Sequence, residues 1–488
     1  MTAPATPALA PSLPHVPSTL LIAGRWRPAA GGATFPVDNP ATGQTLIEVA
    51  DADERDALDA IRAARDAQPA LAALSPARRA ALLRRVEAAL RAREDELALL
   101  ITLEMGKPIN ESRGEVAYAA DFFGWFADEA LRIGGDYRLS PSGLTRILVQ
   151  HRAVGPCLLV TPWNFPLAMG ARKIAPALAA GCPSVLKPAE QTPLTSLLLA
   201  RIIEEAGAPA GSVNVVTTSR PAAAVGAIIE SGLARKLSFT GSTEVGKLLL
   251  AQCAAHVMRT SMELGGNAPF IVCADADLDA AVEGALLAKM RNVGQACTAA
   301  NRFIVAEPLA REFTSRLAGR MGAMTVAAGW QDGAEVGPLI DDAAVAKFER
   351  LVADALGRGA VVEAGGGPAN GRFVEPTVLS GVAPGTALLE EEIFGPLAAI
   401  TTFREEAEAV SAANGTPYGL VSYVYTRDLQ RALHMVENLA SGMVGVNVGV
   451  VSNAAAPFGG IKQSGLGREG GLEGIAEYLD TTYAALPA

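Results

Sequence analysis

Cysteine, histidine and net positive charge are all scarce in this chain. Five cysteines occur in 488 residues, at Cys157, Cys182, Cys253, Cys273 and Cys297, and no two form a C-x-x-C pair. That spacing excludes a disulfide framework, a zinc ribbon and a thioredoxin-type dithiol, and it suits a reducing compartment. The four histidines, His15, His151, His256 and His434, are far apart, and no H-E-x-x-H occurs, so no metal site is expected. Basic residues number 41 against 51 acidic ones, a net charge of −10. A global basic footprint for nucleic acid or an anionic membrane is thereby excluded, although a local basic pocket is not. No run of about 18 apolar residues appears, so no bilayer span is expected. The N-terminus has no positive n-region and no unbroken apolar stretch. Its prolines (Pro4, Pro7, Pro11, Pro14 and Pro17) instead predict a flexible extended arm over residues 1–17 and no export signal. The cytoplasm is the expected location.

Half of the residues are hydrophobic, enough for large cores in two big domains or three smaller ones. Residues 20–50 read as short strands broken by turns, and 51–134 as helices, with Asp51, Asp53 and Ser75-Pro76 as start signals. From 146 onward short apolar runs (CLLV, SVLK, VNVV, KLSF, FIV) alternate with helical stretches at 167–180, 193–206, 221–231 and 243–256. Strand–helix alternation implies a parallel sheet with crossover helices. A second such block runs from RFIVA at 302–306 to SYVYT at 422–426. The expected fold class is therefore α/β, with two parallel-sheet domains. A small β element joins the strand pair at 136–154 to a C-terminal strand.

Four local patterns could carry chemistry. GSTEVGKL at 241–248 nearly spells a P-loop, but Leu248 replaces the hydroxyl that would bind Mg²⁺. It still sets Gly241 and Ser242 at a strand-to-helix junction, where free N–H groups suit a diphosphate; an ordinary glycine turn with a serine cap is the alternative. No G-x-G-x-x-G follows an early strand. Cys297 sits in VGQACTAA among small and polar residues, unlike an apolar core face, and could be a nucleophile or a small buried hydrophobe. Glu263, followed by Gly265-Gly266, could be a general base or a charge at a turn. Asn164, between Pro162 and Pro166, could donate to an oxyanion or serve a turn.

Together, in this order, TPWNFP (161–166), KPAE (187–190), FTGSTEVG (239–246), ELGGN (263–267), GQAC (294–297) and EEIFGP (391–396) resemble the aldehyde dehydrogenase superfamily, over essentially residues 20–485. The resemblance implies that the diphosphate is held by the helix after FTGS, which accounts for the missing glycine fingerprint. It further implies a catalytic set of Cys297, Glu263 and Asn164. Trp163, Lys187, Glu190, Gly241, Ser242, Val245, Leu264, Glu392 and Phe394 would bind the nicotinamide dinucleotide. The implied domains are a cofactor-binding one (18–135 and 155–265), a catalytic one (266–455) and oligomerisation strands (136–154 and 470–488), giving a homodimer or homotetramer.

Within the superfamily, EMGKP (104–108), GEVAYAADFFGWFADEA (114–130), ADLDAAVEGAL (277–287) and APFGGIKQSGLGREG (456–470) look most like succinate-semialdehyde dehydrogenase. That likeness implies that Arg172, Arg291 and Ser452 hold the far carboxylate of the substrate. Some members of that subfamily carry a second cysteine two residues after the nucleophile; Ala299 stands there, so a local disulfide switch is excluded. Glu190 would accept from ribose hydroxyls and repel a 2′-phosphate, favouring NAD, while Lys187 leaves NADP open. Competing readings are glutarate semialdehyde or a broader aldehyde range as substrate, a cysteine esterase without redox chemistry, and a purely structural role.

Overall fold

A computed structural model describes residues 10–488. The part of the proline-rich arm at 1–9 lies outside the described residues. Residues 10–17 correct the expectation of a free arm. They form neither helix nor strand, but Leu13 and Val16 pack against the first hydrophobic core, and Val16 is only 7 % exposed. Two apolar side chains among the prolines give this stretch something to bury.

The helical region is Glu54–Ala72, Pro76–Ala92, Glu94–Met105 and Ile109–Arg132. The first helix starts at Asp53, whose carboxylate accepts from Arg55 and Asp56 N–H in a reciprocal capping box. The second starts at Ser75-Pro76, as the sequence predicts.

An eight-stranded sheet runs, edge to edge, Gly465–Leu466, Arg259–Glu263, Lys236–Thr240, Cys157–Val160, Ser184–Lys187, Val213–Val215, Leu20–Ile22 and Arg25–Arg27. The five strands between the first and the last two are mutually parallel, and the strands flanking them are paired antiparallel. A seven-stranded sheet runs Val361–Ala364, Thr377–Ser380, Leu397–Phe403, Ala300–Ala306, Ala268–Val272, Val421–Tyr425 and Met443–Val446, with only Val361–Ala364 antiparallel. Gly135–Leu139, Thr145–Ala153 and Leu479–Pro487 make a three-stranded antiparallel element. The two parallel sheets and the small β element read from the sequence are thus all present.

The stretch 470–488 is not strand throughout. Gly470 and Gly471, at φ of 71° and 60°, turn the chain into the short helix Gly471–Ala476, and extension resumes only at Leu479.

The crossing between the sheets creates a cleft. Strand Arg259–Glu263 ends the first parallel set, and Leu264, Gly265, Gly266 and Asn267 lead directly into Ala268–Val272 of the second. Carboxyl ends of parallel strands from one sheet therefore face elements of the other, the place where α/β folds bind ligands.

Candidate active site

The cleft at this crossing has a volume of about 370 Å³. Cys297, Glu263 and Asn164 all line it, as do Trp163, Gly241, Ser242, Leu264, Glu392, Phe394, Arg172, Arg291 and Ser452. Lys187, Glu190 and Val245 do not reach its wall. Lys187 ends its strand and pairs with Glu190 at 3.1 Å, while Val245 is exposed on the first turn of helix Thr243–Ala254.

Cys297 follows a turn in which Asn292, Val293 and Gly294 take left-handed φ values of 57°, 59° and 71° in succession. Gly294 is needed there, since a Cβ would stand 2.3 Å from the Gly395 carbonyl oxygen. Burial pushes the Cys297 thiol up to about 12; Arg172 and Arg291 pull it down, while Glu392 and Glu263 raise it further. Asn164 donates one Nδ2 hydrogen to the Gln295 carbonyl at 2.9 Å, and its Oδ1 has no partner. An amide has two such hydrogens, so one remains for a ligand.

Glu263 ends its strand 3 % exposed, and neither carboxylate oxygen has a hydrogen-bond partner. Burial, reinforced by Glu469, holds its pKa well above the ordinary carboxylate range. Glu469 behaves oppositely. Burial would raise it, but Lys173 and Arg172 outweigh that and keep it low. Lys173 Nζ donates to Glu469 Oε1 at 2.5 Å and to Ser238 Oγ at 2.9 Å. Arg172 Nε lies 2.5 Å from Glu469 Oε2 without hydrogen-bond alignment, so this is an ion pair that leaves Nη2 unused. The ionisations of two carboxylates in one buried cluster are thus driven apart, Glu263 upward and Glu469 downward.

The two arginines assigned to the substrate differ. Arg172 lies over the Phe458 ring at 4.2 Å and already faces Glu469. Arg291 has no carboxylate within ion-pair distance among the described residues. It donates to Ser452 Oγ at 3.1 Å and lies against Phe165 and Tyr118. Those aromatic rings and Phe458 line the cleft and were not singled out from the sequence. A partial signal for Tyr118 was present: it stands four residues before Phe122 on one helix, and their rings meet edge-on at 4.8 Å. Glu469, inside a glycine-rich stretch, offered no such pattern.

The remaining wall fits a dinucleotide. Helix Thr243–Ala254 opens on Ser242, whose Oγ caps Val245 N–H; the N–H groups of its first turn have no acceptors within the helix. Gly241 admits no side chain, since a Cβ would meet Phe239 Cζ at 2.4 Å. Glu392 Oε1 accepts from Gly266 N–H at 3.0 Å, and its other oxygen would stand 3.0 Å from a Cβ on Gly265. Burial raises Glu392 to about 7. Trp163 and Phe394 meet edge-to-face at 5.4 Å. Helix-end N–H donors for phosphates, a held carboxylate to accept from hydroxyls and aromatic edges for a flat ring are the partners such a cofactor needs.

The model of the aldehyde dehydrogenase family matches residues 26–484. A succinate-semialdehyde dehydrogenase of Paenarthrobacter nicotinovorans is 54% identical over 90% of this chain and 98% of its own length. A glutarate-semialdehyde dehydrogenase of Pseudomonas putida is 47% identical over 95% of this chain and 97% of its own. The solved structure of a succinate-semialdehyde dehydrogenase from Burkholderia pseudomallei superposes with a TM-score of 0.96 at 47% identity, covering 97% of this chain and 98% of that one. The chain therefore belongs to the aldehyde dehydrogenase family and is an aldehyde dehydrogenase, oxidising aldehydes with NAD(P).

Proposed function

We propose that the substrate is succinate semialdehyde, oxidised to the free acid. The observation carrying this reading is Arg291, a cation without a carboxylate partner among the described residues, bonded to Ser452 and set among aromatic side chains in the cleft that holds Cys297. An arginine fork binds a carboxylate bidentately, and the unused Nη2 of Arg172 is a second donor. Glutarate semialdehyde is the second reading, favoured by the Pseudomonas putida relative. One methylene separates the two, worth about 1–3 kcal/mol.

Cys297 Sγ, once deprotonated, attacks the aldehyde carbon. Asn164 Nδ2 and the Cys297 N–H donate to the oxygen that takes up the charge, and they gain strength only as that charge develops. When bound, NAD(P) supplies a nicotinamide ring that accepts the hydride released as the alkoxide collapses. A thioester then remains on Cys297. Glu263, with both oxygens free, takes a proton from the water that cleaves it. This deacylation needs the carboxylate form, and burial has moved that ionisation upward. Turnover limited by hydrolysis therefore rises with pH over a range above that of an ordinary glutamate. Glu263→Gln should keep the first-turnover burst of reduced cofactor and lose steady turnover; loss of both would remove Glu263 from this role.

Ser242 and the first turn of its helix hold the diphosphate, and Glu392, Phe394, Trp163 and Leu264 the nicotinamide side. Lys187, Glu190 and Val245 serve the adenosine side. The Lys187 charge is already matched by Glu190, which supports NAD over NADP. Residues 18–135 and 155–265 carry the cofactor and 266–455 the nucleophile. The strands within 136–154 and 470–488 join copies into a dimer or tetramer, for which exposed Tyr137, Leu139 and Tyr483 supply apolar surface. A reducing cytoplasm suits five free thiols. The deciding experiment is a kcat/KM panel over succinate semialdehyde, glutarate semialdehyde, an uncharged four-carbon aldehyde and both cofactors. An uncharged aldehyde used as well as the semialdehydes would overturn the substrate reading.

A further inference from the structure

We infer that Asn292 and the buried Lys107–Glu115 pair are positioning residues that aim the Asn164 amide at the substrate oxygen, an inference resting on the oxyanion role proposed for Asn164.

Two main-chain carbonyls lie at the centre of this arrangement. Gln295 O accepts from Asn164 Nδ2 at 2.9 Å, the bond that orients the donor amide. Asn164 O belongs to the residue carrying that amide. Asn292 Nδ2 donates to both carbonyls, at 2.8 Å to Gln295 O and 3.0 Å to Asn164 O. One NH₂ group, with both hydrogens used, thus ties the loop of the oxyanion donor to the loop of the nucleophile. Lys107 Nζ supplies the second bond to Asn164 O at 2.9 Å and meets Glu115 Oε2 at 2.5 Å. The other Glu115 oxygen accepts from Leu167 N–H at 2.9 Å and Ala168 N–H at 3.1 Å, just beyond Asn164. The chain is therefore held at the donor residue itself and again three and four residues beyond it. Lys107 and Asn292 show no exposure, and Glu115 shows 2 %.

Two features point to more than packing. Asn292 sits at φ 57°, ψ 36°, with its N–H bonded to Glu111, and Val293 follows at φ 59°. A β-branched residue in that region costs about 1–3 kcal/mol and persists only where the surroundings enforce it. The lysine–glutamate pair is likewise costly to bury and adds no more to stability than well-packed apolar side chains would. Both costs converge on the placement of one amide. A misplacement of about 1 Å at a reacting centre lowers rate by roughly 100-fold.

The test is a double-mutant cycle on the burst rate of the first turnover, using Asn292→Asp and Asn164→Ala in the full-length enzyme. Aspartate tolerates the left-handed backbone and keeps the shape, but it loses both donors. The expected result is a burst slowed roughly 10- to 100-fold by N292D. The aldehyde KM and the rate of Cys297 alkylation by iodoacetamide should stay within about twofold, because positioning acts on the transition state. In the N164A background, N292D should slow the burst no further. An equal drop in both backgrounds, or no drop in the N292D single variant, overturns the inference. An unchanged burst in N164A alone instead overturns the oxyanion reading on which it rests. Should N292D fail to fold, Lys107→Gln, which retains a neutral donor, runs through the same cycle with the same outcomes.

Discussion

Around Gly241 and Gly265 main-chain groups share the cleft wall with Glu392, Trp163 and Phe394. A Cβ at Gly241 would stand 2.4 Å from Phe239, one at Gly265 would stand 3.0 Å from Glu392, and the donors on offer are N–H groups of a helix end. Around Arg291 the wall is side chain: Arg291 bonded to Ser452, with Tyr118, Phe165 and Phe458 lining the space and Arg172 partly committed to Glu469. Backbone recognition tolerates little change, because its groups cannot be substituted and its glycines cannot grow. Side-chain recognition can be retuned residue by residue. One end of the cleft thus suits a ligand shared by many enzymes, and the other suits a ligand that differs among them.

The contrast can be broken from either end. Arg291→Ala is expected to have the largest effect, raising KM for succinate semialdehyde roughly 100-fold relative to an uncharged aldehyde, since a charge-assisted bond is worth about 1.5–3 kcal/mol. Its cofactor KM should barely move; equal losses on charged and uncharged aldehydes would dismiss the clamp. Gly241→Ala comes next. Overpacking costs about 1–3 kcal/mol, so the cofactor KM should rise roughly tenfold while iodoacetamide still reaches Cys297 at the parent rate. A changed alkylation rate would mean that the two ends are not separable. Ser452→Ala removes the hydroxyl that accepts from the charged Arg291 guanidinium, and about 1 kcal/mol of that interaction should pass to substrate binding. A roughly fivefold rise in the semialdehyde KM is expected, and an unchanged value would mean that Arg291 holds its position without the serine.

The same contrast explains what could be read from the sequence. Gly241, Gly265 and Gly266 announce themselves because a requirement for no side chain leaves a glycine in a fixed pattern, and Cys297 and Glu263 lie beside such patterns. The alternating strands and helices set out both parallel sheets, and helix Ala168–Ala180 departs from its sequence-based start by one residue. The helix Gly471–Ala476 was less legible, since paired glycines permit several turns. Buried polar partners far apart in the chain were less legible. Arg172 faces Glu469 across nearly 300 positions, and nothing local distinguishes it from a surface arginine. Lys107, Glu115 and Asn292 are polar residues whose burial arises only after the chain has folded. The packing of Leu13 and Val16 was likewise obscured by the prolines around them.

The short passage from Glu263 to Ala268 has a practical consequence. Glu263, the proposed base, ends a strand of one sheet and Gly266 braces Glu392 from within the same link, so the seam between the halves runs through the cleft that holds Cys297. A chimaera built to exchange cofactor preference would have to splice elsewhere, keeping 263–268 and its Glu392 contact from a single parent. Joining the parents inside that link would disturb catalysis before it altered coenzyme choice.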